Sequence, residues 1–397
     1  RLTYVGCVLM KKILAFTSIR SDYDLMSPLY RLLHEDKDID FKIIVSGAHL
    51  SHSFGYSIEQ IRKDGFDILL EIETLLSSDT GLSRVKSASL LLQNSLETIA
   101  KFNPDLMIFA GDREDVIMYA MIGGYLNIPT IHVFSGDHTE DGYIDNPIRH
   151  ATSKLSSAHF VTLKEHKKRL VRMGENPKRV FEIGNISLDK FISYKPMLKS
   201  EIQKYFVINK GFEDFALMIF HPVTEEIEKV DEYFENILIN LEQRNINTFV
   251  SYPNVDPGNQ KLLKVIDKYK ENKNFIFYKN LDRDIFMSIY KHSKFIIGNS
   301  SSGICEAASL KIPAINVGLR QTGRYADKNV IFCGTSFEEI SKSLDKALSK
   351  DFLEKLNDLQ NSYGDGNSAK KAYEIIKSID FKSMIAKVED PLKVELV

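Results

Sequence analysis

Carboxylates, histidines and arginines gather in short segments that directly follow apolar runs. Gly111-Asp112-Arg113-Glu114-Asp115 follows the run Leu106–Ala110, and a second cluster spans His132 to Asp145 and continues as Asn146-Pro147-Ile148-Arg149-His150. Carboxylates gathered at the ends of parallel strands can serve as general acid and base when their surroundings push their pKa values apart. The same residues have plainer uses, Asp112 as a helix cap and Glu140, Asp141 and Asp145 as a solvated loop. His132 and His138 beside these carboxylates raise the question of a metal, but the tight histidine spacing of zinc motifs is missing, so none is expected. No G-x-S-x-G elbow occurs, which removes the usual serine-hydrolase argument. In the second half Phe220-His221-Pro222-Val223-Thr224-Glu225 again puts polar groups after an apolar run. His221 there is either structural or a donor to a departing phosphate or a sugar.

A different chemistry is suggested by Ile296-Ile297-Gly298-Asn299-Ser300-Ser301-Ser302-Gly303-Ile304-Cys305-Glu306. An apolar strand runs into small polar residues and then into a helix. Unpaired N–H groups at a helix start suit an anion, and a diphosphate fits. Glu306, one turn into that helix, can accept hydrogen bonds from ribose hydroxyls. An ordinary serine N-cap is the competing explanation. Asn316-Val317-Gly318-Leu319-Arg320-Gln321-Thr322-Gly323-Arg324 then adds two arginines near the same sheet edge. Their forked donors suit phosphate, although both arginines can equally be surface charges.

The elements that must position these groups are those of an α/β fold. Short apolar runs alternate with helical patterns, which predicts parallel sheets. Strands are predicted at Ile13–Thr17, Phe41–Val45, Leu106–Ala110, Thr130–Phe134 and His159–Thr162, then at Phe215–Phe220, Thr248–Ser251, Phe275–Tyr278, Phe295–Ile297 and Ala314–Val317. Leu82–Phe102 has helical apolar spacing, Glu225–Leu241 reads as a helix, and Asp282 is a candidate N-cap for Arg283–Tyr290. Two successive halves predict two Rossmann-like domains facing across a cleft. The expected division is 11–187, 188–366 and a terminal helix within 367–385 that crosses back to the first domain, with a hinge near Gly184–Lys190.

Composition narrows the class. A chain of 397 residues is too long for one ordinary core. The net charge of −2 gives no global attraction to nucleic acid or anionic lipid, so neither partner is expected. Cys7, Cys305 and Cys333 are scattered, which suits a reducing, cytoplasmic setting. Lys11 and Lys12 interrupt the first apolar stretch and Arg20 ends it, so no membrane span is expected and the residues before Lys11 read as a loose leader or alternative start.

Taken in order, several motifs resemble the hydrolysing UDP-N-acetylglucosamine 2-epimerases of sialic acid synthesis and their close bacterial relatives. They are Thr17-Ser18-Ile19-Arg20-Ser21-Asp22-Tyr23, similar to T-x-x-R-x-[DE]-Y, then Ser46-Gly47-Ala48-His49-Leu50-Ser51, Gly111-Asp112-Arg113, and Ile148 to Ser156. His221-Pro222-Val223-Thr224, Tyr252-Pro253-Asn254-Val255-Asp256 and the serine and arginine segments complete the set. The likeness runs from Lys12 to about Phe381. It implies a glycosyltransferase-B-type architecture and conversion of UDP-N-acetylglucosamine and water to N-acetylmannosamine and UDP, through a glycal and with inversion at carbon 2. Asp112 and Asp145 match the catalytic positions. Ser301, Ser302 and Gly303 would hold the diphosphate and Glu306 the ribose, with Arg20, Arg113 and Arg320 supplying nearby positive charge. His221 would lie beside diphosphate or sugar, His49 at the sugar end, Asn254 within the substrate site, and the uracil near Asn280–Arg283. One departure stands out. Many relatives carry an acidic residue where this chain has Phe134, and Asp137 is the substitute. The resemblance implies no cofactor or metal, a UDP-sugar as small-molecule partner, and a homodimer or homotetramer. It leaves open a UDP-2,4-diacetamido-trideoxy sugar as substrate, a non-hydrolysing epimerase, a glycosyltransferase on the same fold, and a non-catalytic nucleotide-sugar sensor.

Overall fold

The chain is described from a computed structural model, which covers residues 10–76, 80–139, 144–208, 211–223, 227–253, 258–279 and 281–394. It divides into two compact units, the first formed by the described residues within Arg1–His138, Gly142–Lys190 and Tyr363–Val397, the second by those within Thr139–Asp141 and Phe191–Ser362.

In the first unit seven strands run parallel: β1 (Lys11–Thr17), β2 (Ile39–Ser46), β3 (Ile68–Ile72), β4 (Leu106–Ala110), β5 (Thr130–Val133), β6 (Ala158–Val161) and β7 (Val180–Glu182). Their spatial order is β3-β2-β1-β4-β5-β6-β7. Successive side chains of a strand face opposite sides. Ile13 and Ala15 of β1 accordingly enter one apolar cluster with Leu106, Ile108 and Ala110 of β4. Leu14 and Phe16 enter the other with Met107 and Phe109. Burial on both faces is why these strands read as continuous apolar runs.

The C-terminal helix Ser368–Ser378 belongs to this unit and buries Ala369, Ala372 and Ile376 in the first cluster. Its own N-cap residue, Asn367, makes no side-chain cap bond. The Asp189 carboxylate caps it instead, accepting from Ser368 N at 3.0 Å and Ala369 N at 2.7 Å. The segment after the helix is tied down by Arg179, which pairs with Glu389 at 3.1 Å, and by Lys387, which reaches Glu175 at 2.7 Å.

The second unit has six parallel strands: β8 (Ala216–Ile219), β9 (Thr248–Ser251), β10 (Phe275–Tyr278), β11 (Ile296–Gly298), β12 (Ala314–Val317) and β13 (Val330–Cys333). Their order is β10-β9-β8-β11-β12-β13. Counted within each unit, the second sheet has the Rossmann order 3-2-1-4-5-6 and the first extends it by a seventh strand, each with its switch point between the first and fourth strands. That point lies between β1 and β4 in one unit and between β8 and β11 in the other.

Several local expectations need correction. β3, β7 and β13 were not anticipated; each is an edge strand with a single neighbour and a less continuous apolar face. The helix expected at Glu225–Leu241 runs over Val230–Gln243, and Glu225 lies outside the described residues. Asp282 occupies the N-cap position of Arg283–His292 but makes no side-chain cap bond. Strand β5 stops at Val133, because Phe134 turns into the left-handed region with φ 60°. Among the described residues no helix is long and apolar enough to cross a membrane.

Candidate active site

The carboxylate cluster of the first unit is built where β4 and β5 hand over to helices. After Ala110 the chain turns at Gly111 and enters the helix Glu114–Leu126, which leaves Asp112 and Arg113 at the strand's carboxyl end. Asp145 opens the helix Asp145–Leu155. Arg149, one turn further along that helix, is buried and forms an ion pair with Asp112. It also donates to Asn146 Oδ1 at 2.8 Å and to the Asp137 carbonyl at 3.3 Å. Arg84, from the helix Gly81–Phe102, binds Glu114 at 2.6 Å and stands 3.6 Å from Asp145 Oδ1.

The two candidate catalytic carboxylates therefore differ. Asp112 is held by a guanidinium, whereas Asp145 Oδ1 is buried without a hydrogen bond. Burial, and then the charge of Asp112, raise the Asp145 pKa, with Arg84, Arg113 and Arg149 opposing. Asp137 is engaged otherwise: its Oδ1 accepts from His138 N at 2.8 Å and lies 3.3 Å from His166 Nε2. His132 is a brace. It is fully buried, Nε2–H donates to the Gly111 carbonyl at 2.7 Å, Nδ1 faces Ser153 Oγ at 3.0 Å, and burial lowers its pKa to about 3. It thereby fixes the turn that presents Asp112. Among the described residues no group of three His, Cys, Asp or Glu side chains could hold a metal ion.

A cavity of about 400 Å³ opens beside this cluster, with Arg20, Arg113, Asp115 and Ser18 on its wall. Arg20 is largely exposed and lies 3.6 Å from Asp24. His49, expected at the sugar end, has a fully buried side chain whose two ring nitrogens face Thr17 Oγ1 and Ser57 Oγ. Two acids that stand in the quoted segments, Asp22 and Asp115, were given no role of their own from the sequence. Burial and then the nearby Asp115 push Asp22 up to about 8, and burial also raises Asp115. Asp22 stands inside the Thr17–Tyr23 motif, which was the available signal.

In the second unit the serine segment follows β11. Gly298 has φ 134°, and a Cβ there would lie 1.9 Å from the Ile219 carbonyl oxygen, so β11 and β8 approach more closely than any other residue permits. Asn299, nearly fully buried, is bound to the backbone of His221, and its own carbonyl accepts from Arg320 Nη1 and Gln321 Nε2, both at 3.0 Å. These bonds gather the ends of β8, β11 and β12. Ser300 is an N-cap whose Oγ accepts from Ser302 N at 3.3 Å. The helix it caps, Ser301–Cys305, is only five residues long. The expectation that Glu306 sits a turn inside a longer helix is corrected, since Glu306 is its C-cap. Glu306 Oε2 is buried without a hydrogen bond, and burial raises the pKa to about 8. Tyr290 braces the loop by donating to the Ser302 carbonyl at 2.7 Å. Ser301, Ser302, Gly303, Glu306, Arg320 and His221 thus belong to one neighbourhood at a switch point. Asn254 and Asn280 lie outside the described residues.

The profile of the family described as UDP-N-acetylglucosamine 2-epimerase matches residues 31–377. The chain belongs to the UDP-N-acetylglucosamine 2-epimerase family. Within it, the chain is 32% identical to a UDP-N,N'-diacetylbacillosamine 2-epimerase (hydrolyzing) of Legionella pneumophila, over 95% of this chain and 98% of the relative. It is 31% identical to a GDP/UDP-N,N'-diacetylbacillosamine 2-epimerase (hydrolyzing) of Campylobacter jejuni, over 86% and 88% respectively. The fold matches the crystal structure of the UDP-GlcNAc 2-epimerase from Neisseria meningitidis bound to UDP-GlcNAc, with a TM-score of 0.73 at 18% identity, covering 93% of this chain and 100% of that one. The glycosyltransferase-B-type architecture expected of a UDP-N-acetylglucosamine 2-epimerase is therefore present, as two parallel Rossmann-like sheets. The coarse activity, 2-epimerisation of a nucleotide-linked sugar, follows from family membership.

Proposed function

We propose that the protein is a hydrolysing epimerase that converts a UDP-linked 2-acetamido sugar and water into the free 2-epimer and UDP. The observation that carries the reading is the pair of unlike carboxylates, Asp112 bound to Arg149 and Asp145 left without a hydrogen bond at Oδ1. Asp112, ionised, takes the proton from carbon 2. The electron pair of that C–H bond becomes the C1=C2 double bond as the C1–O bond to UDP breaks. Asp145, whose burial favours the acid form, then delivers a proton to the opposite face of carbon 2 while water oxygen bonds to carbon 1. The proton shed by water restores Asp145, and Asp112 releases its proton to solvent.

Nucleotide binding falls to the second unit in this reading, with Ser301, Ser302 and Gly303 at the diphosphate, Glu306 at the ribose, and Arg320 and His221 beside the phosphates. The hydrolytic outcome is favoured by the names of the Legionella and Campylobacter relatives, which also bring a 2,4-diacetamido sugar into consideration beside N-acetylglucosamine.

The test is product identification by mass spectrometry from a panel of UDP- and GDP-linked amino sugars in heavy-oxygen water. The expected products are unlabelled UDP and a free 2-epimer carrying the label at carbon 1. An intact epimeric nucleotide would mean a non-hydrolysing epimerase. UDP binding without turnover of any panel member would mean a binding protein.

A further inference from the structure

Each of the two candidate catalytic carboxylates has a guanidinium nearby, but only Asp112 is bound by its own. Arg149 forms an ion pair with Asp112. Arg84, the guanidinium near Asp145, is instead committed to a third carboxylate, Glu114. Its Nη2 donates to Glu114 Oε2 at 2.6 Å, and its Nε lies 3.2 Å from both Glu114 oxygens, so the guanidinium presents an edge to that carboxylate. The same Nη2 stops 3.6 Å from Asp145 Oδ1, beyond a hydrogen bond. Asp145 Oδ1 is accordingly buried with no hydrogen-bond partner. All three side chains are partly buried, so solvent screens their charges only in part.

The fold fixes where Glu114 stands and keeps it charged. It is the first residue of the helix Glu114–Leu126, and a helix start favours a negative charge. Arg84 lies near the start of the helix Gly81–Phe102, which packs on that helix. Burial works against the Glu114 charge, but the bond from Arg84, a backbone bond and the charge of Arg113 outweigh it and hold the carboxyl below its usual range. Among the described residues, the charges that act on Asp145 are Asp112 and Arg113 from the turn after β4, Arg149 from its own helix, and Arg84 with its partner Glu114. Arg149 and Arg84 are each bound to a carboxylate other than Asp145. The further acceptors that Arg149 reaches, Asn146 Oδ1 and the Asp137 carbonyl, are neutral and do not draw it off Asp112.

We propose that Glu114 and Arg84 are positioning residues that act through Asp145: Glu114 binds the guanidinium that would otherwise pair with Asp145, and so leaves Asp145 as the acid that delivers a proton to carbon 2. Asp112 remains the base because no carboxylate competes for Arg149 in the same way. The inference rests on the hydrolysing-epimerase reading.

The test is the pH dependence of kcat, read as UDP release between about pH 5.5 and about pH 9.5, for wild type, Glu114→Gln, Arg84→Gln and the double variant. The substrate is UDP-N-acetylglucosamine or UDP-2,4-diacetamido-2,4,6-trideoxyglucose, whichever the wild type turns over faster. The wild-type rate should fall on the alkaline side as Asp145 loses its proton. In Glu114→Gln the released Arg84 pairs with Asp145, and the fall should move to lower pH by about one unit or more. In Arg84→Gln it should move to higher pH by about half a unit or more, because an opposing charge is gone. The double variant should return to within about half a unit of the wild type, because Glu114 acts only through Arg84. A general loss of structure would lower the rate at every pH without moving the two single variants in opposite directions. An unmoved or upward fall in Glu114→Gln overturns the inference, as does a downward shift that persists in the double variant. If Glu114→Gln does not fold, Arg84→Gln decides alone, and an unmoved profile there overturns the inference. A wild type that hydrolyses its substrate with no alkaline fall also overturns it but leaves the epimerase reading standing. Turnover of neither sugar sinks that reading and the inference together.

Discussion

Asn299 binds both backbone polar groups of His221, accepting from its N–H and donating to its carbonyl, each at 2.8 Å. A residue at the end of β11 thereby dictates the path of the chain leaving β8, across the switch point of the second sheet. A primary amide donates and accepts through two separate atoms at once, and Asn299 is nearly fully buried. Asn299→Asp loses the donor and buries a charge, and Asn299→Ala removes both bonds. Each should lower stability by about 1–3 kcal/mol and weaken UDP binding by about tenfold or more through the displaced His221 loop. Calorimetric UDP titration with thermal unfolding checks both, and wild-type affinity in a folded Asn299→Ala protein would refute the coupling.

Asp112→Asn and Asp145→Asn should each reduce turnover by at least about a hundredfold, as loss of acid–base catalysis does. UDP affinity should change far less, because the nucleotide is assigned to other residues. Since burial raises the Asp145 pKa, wild-type turnover should decline as rising pH removes its proton. Near-normal rates in both variants would mean that the chemistry lies elsewhere.

Glu306 makes a prediction about pH and stability. Its pKa is about 8 in the folded chain against 4.5 for the free side chain, and burial is the cause. Between those values the folded state holds a proton that the unfolded state has released, so stability falls as pH rises from about 4.5 to about 8. Glu306→Gln removes this dependence. It should melt higher than the wild type at pH 8, with the gap closing toward pH 5, in thermal scans across that range. A gap that does not vary with pH would reject the buried-acid description.

Glu175 should behave in the opposite sense. Burial works against its charge, but His159, Lys387 and Lys154 outweigh burial and hold the carboxyl at about 2. That stabilisation is present above the unfolded pKa of 4.5 and is lost as pH falls toward 2. The shift corresponds to about 3 kcal/mol. Glu175→Gln should therefore destabilise the first unit by that order at pH 7 and by roughly half as much or less at pH 3, measured by urea unfolding at each pH. It should also release the segment around Lys387, which limited proteolysis would detect.

How much was legible follows from where each residue's constraint arises. β1, β4, β8 and β12 could be read because burial on both faces leaves an unbroken apolar run. β3, β7 and β13 could not, since an edge strand answers to one neighbour and its outer side chains are free to be Glu71, Glu182 or a half-exposed Phe332. Asp112 and Asp145 were identifiable as acids after strands, and the serine segment as a turn into a helix. His49 looked like a ligand contact because a histidine in a polar motif carries no mark of burial. Its two hydroxyl partners come from eight residues ahead and 32 behind.

The sequence by itself determined the residue types, their order and the alternation of strand with helix, because these depend on local periodicity and turn chemistry. Strand order was decided only in three dimensions. It is the packing of β4 against β1, and of β11 against β8, that turns separate motifs into two switch-point sites. Protonation was decided there as well. Whether Asp145, Asp22, Glu306 or His49 carries a charge depends on how much water the neighbours exclude and which charges they bring, and those neighbours are distant in the chain.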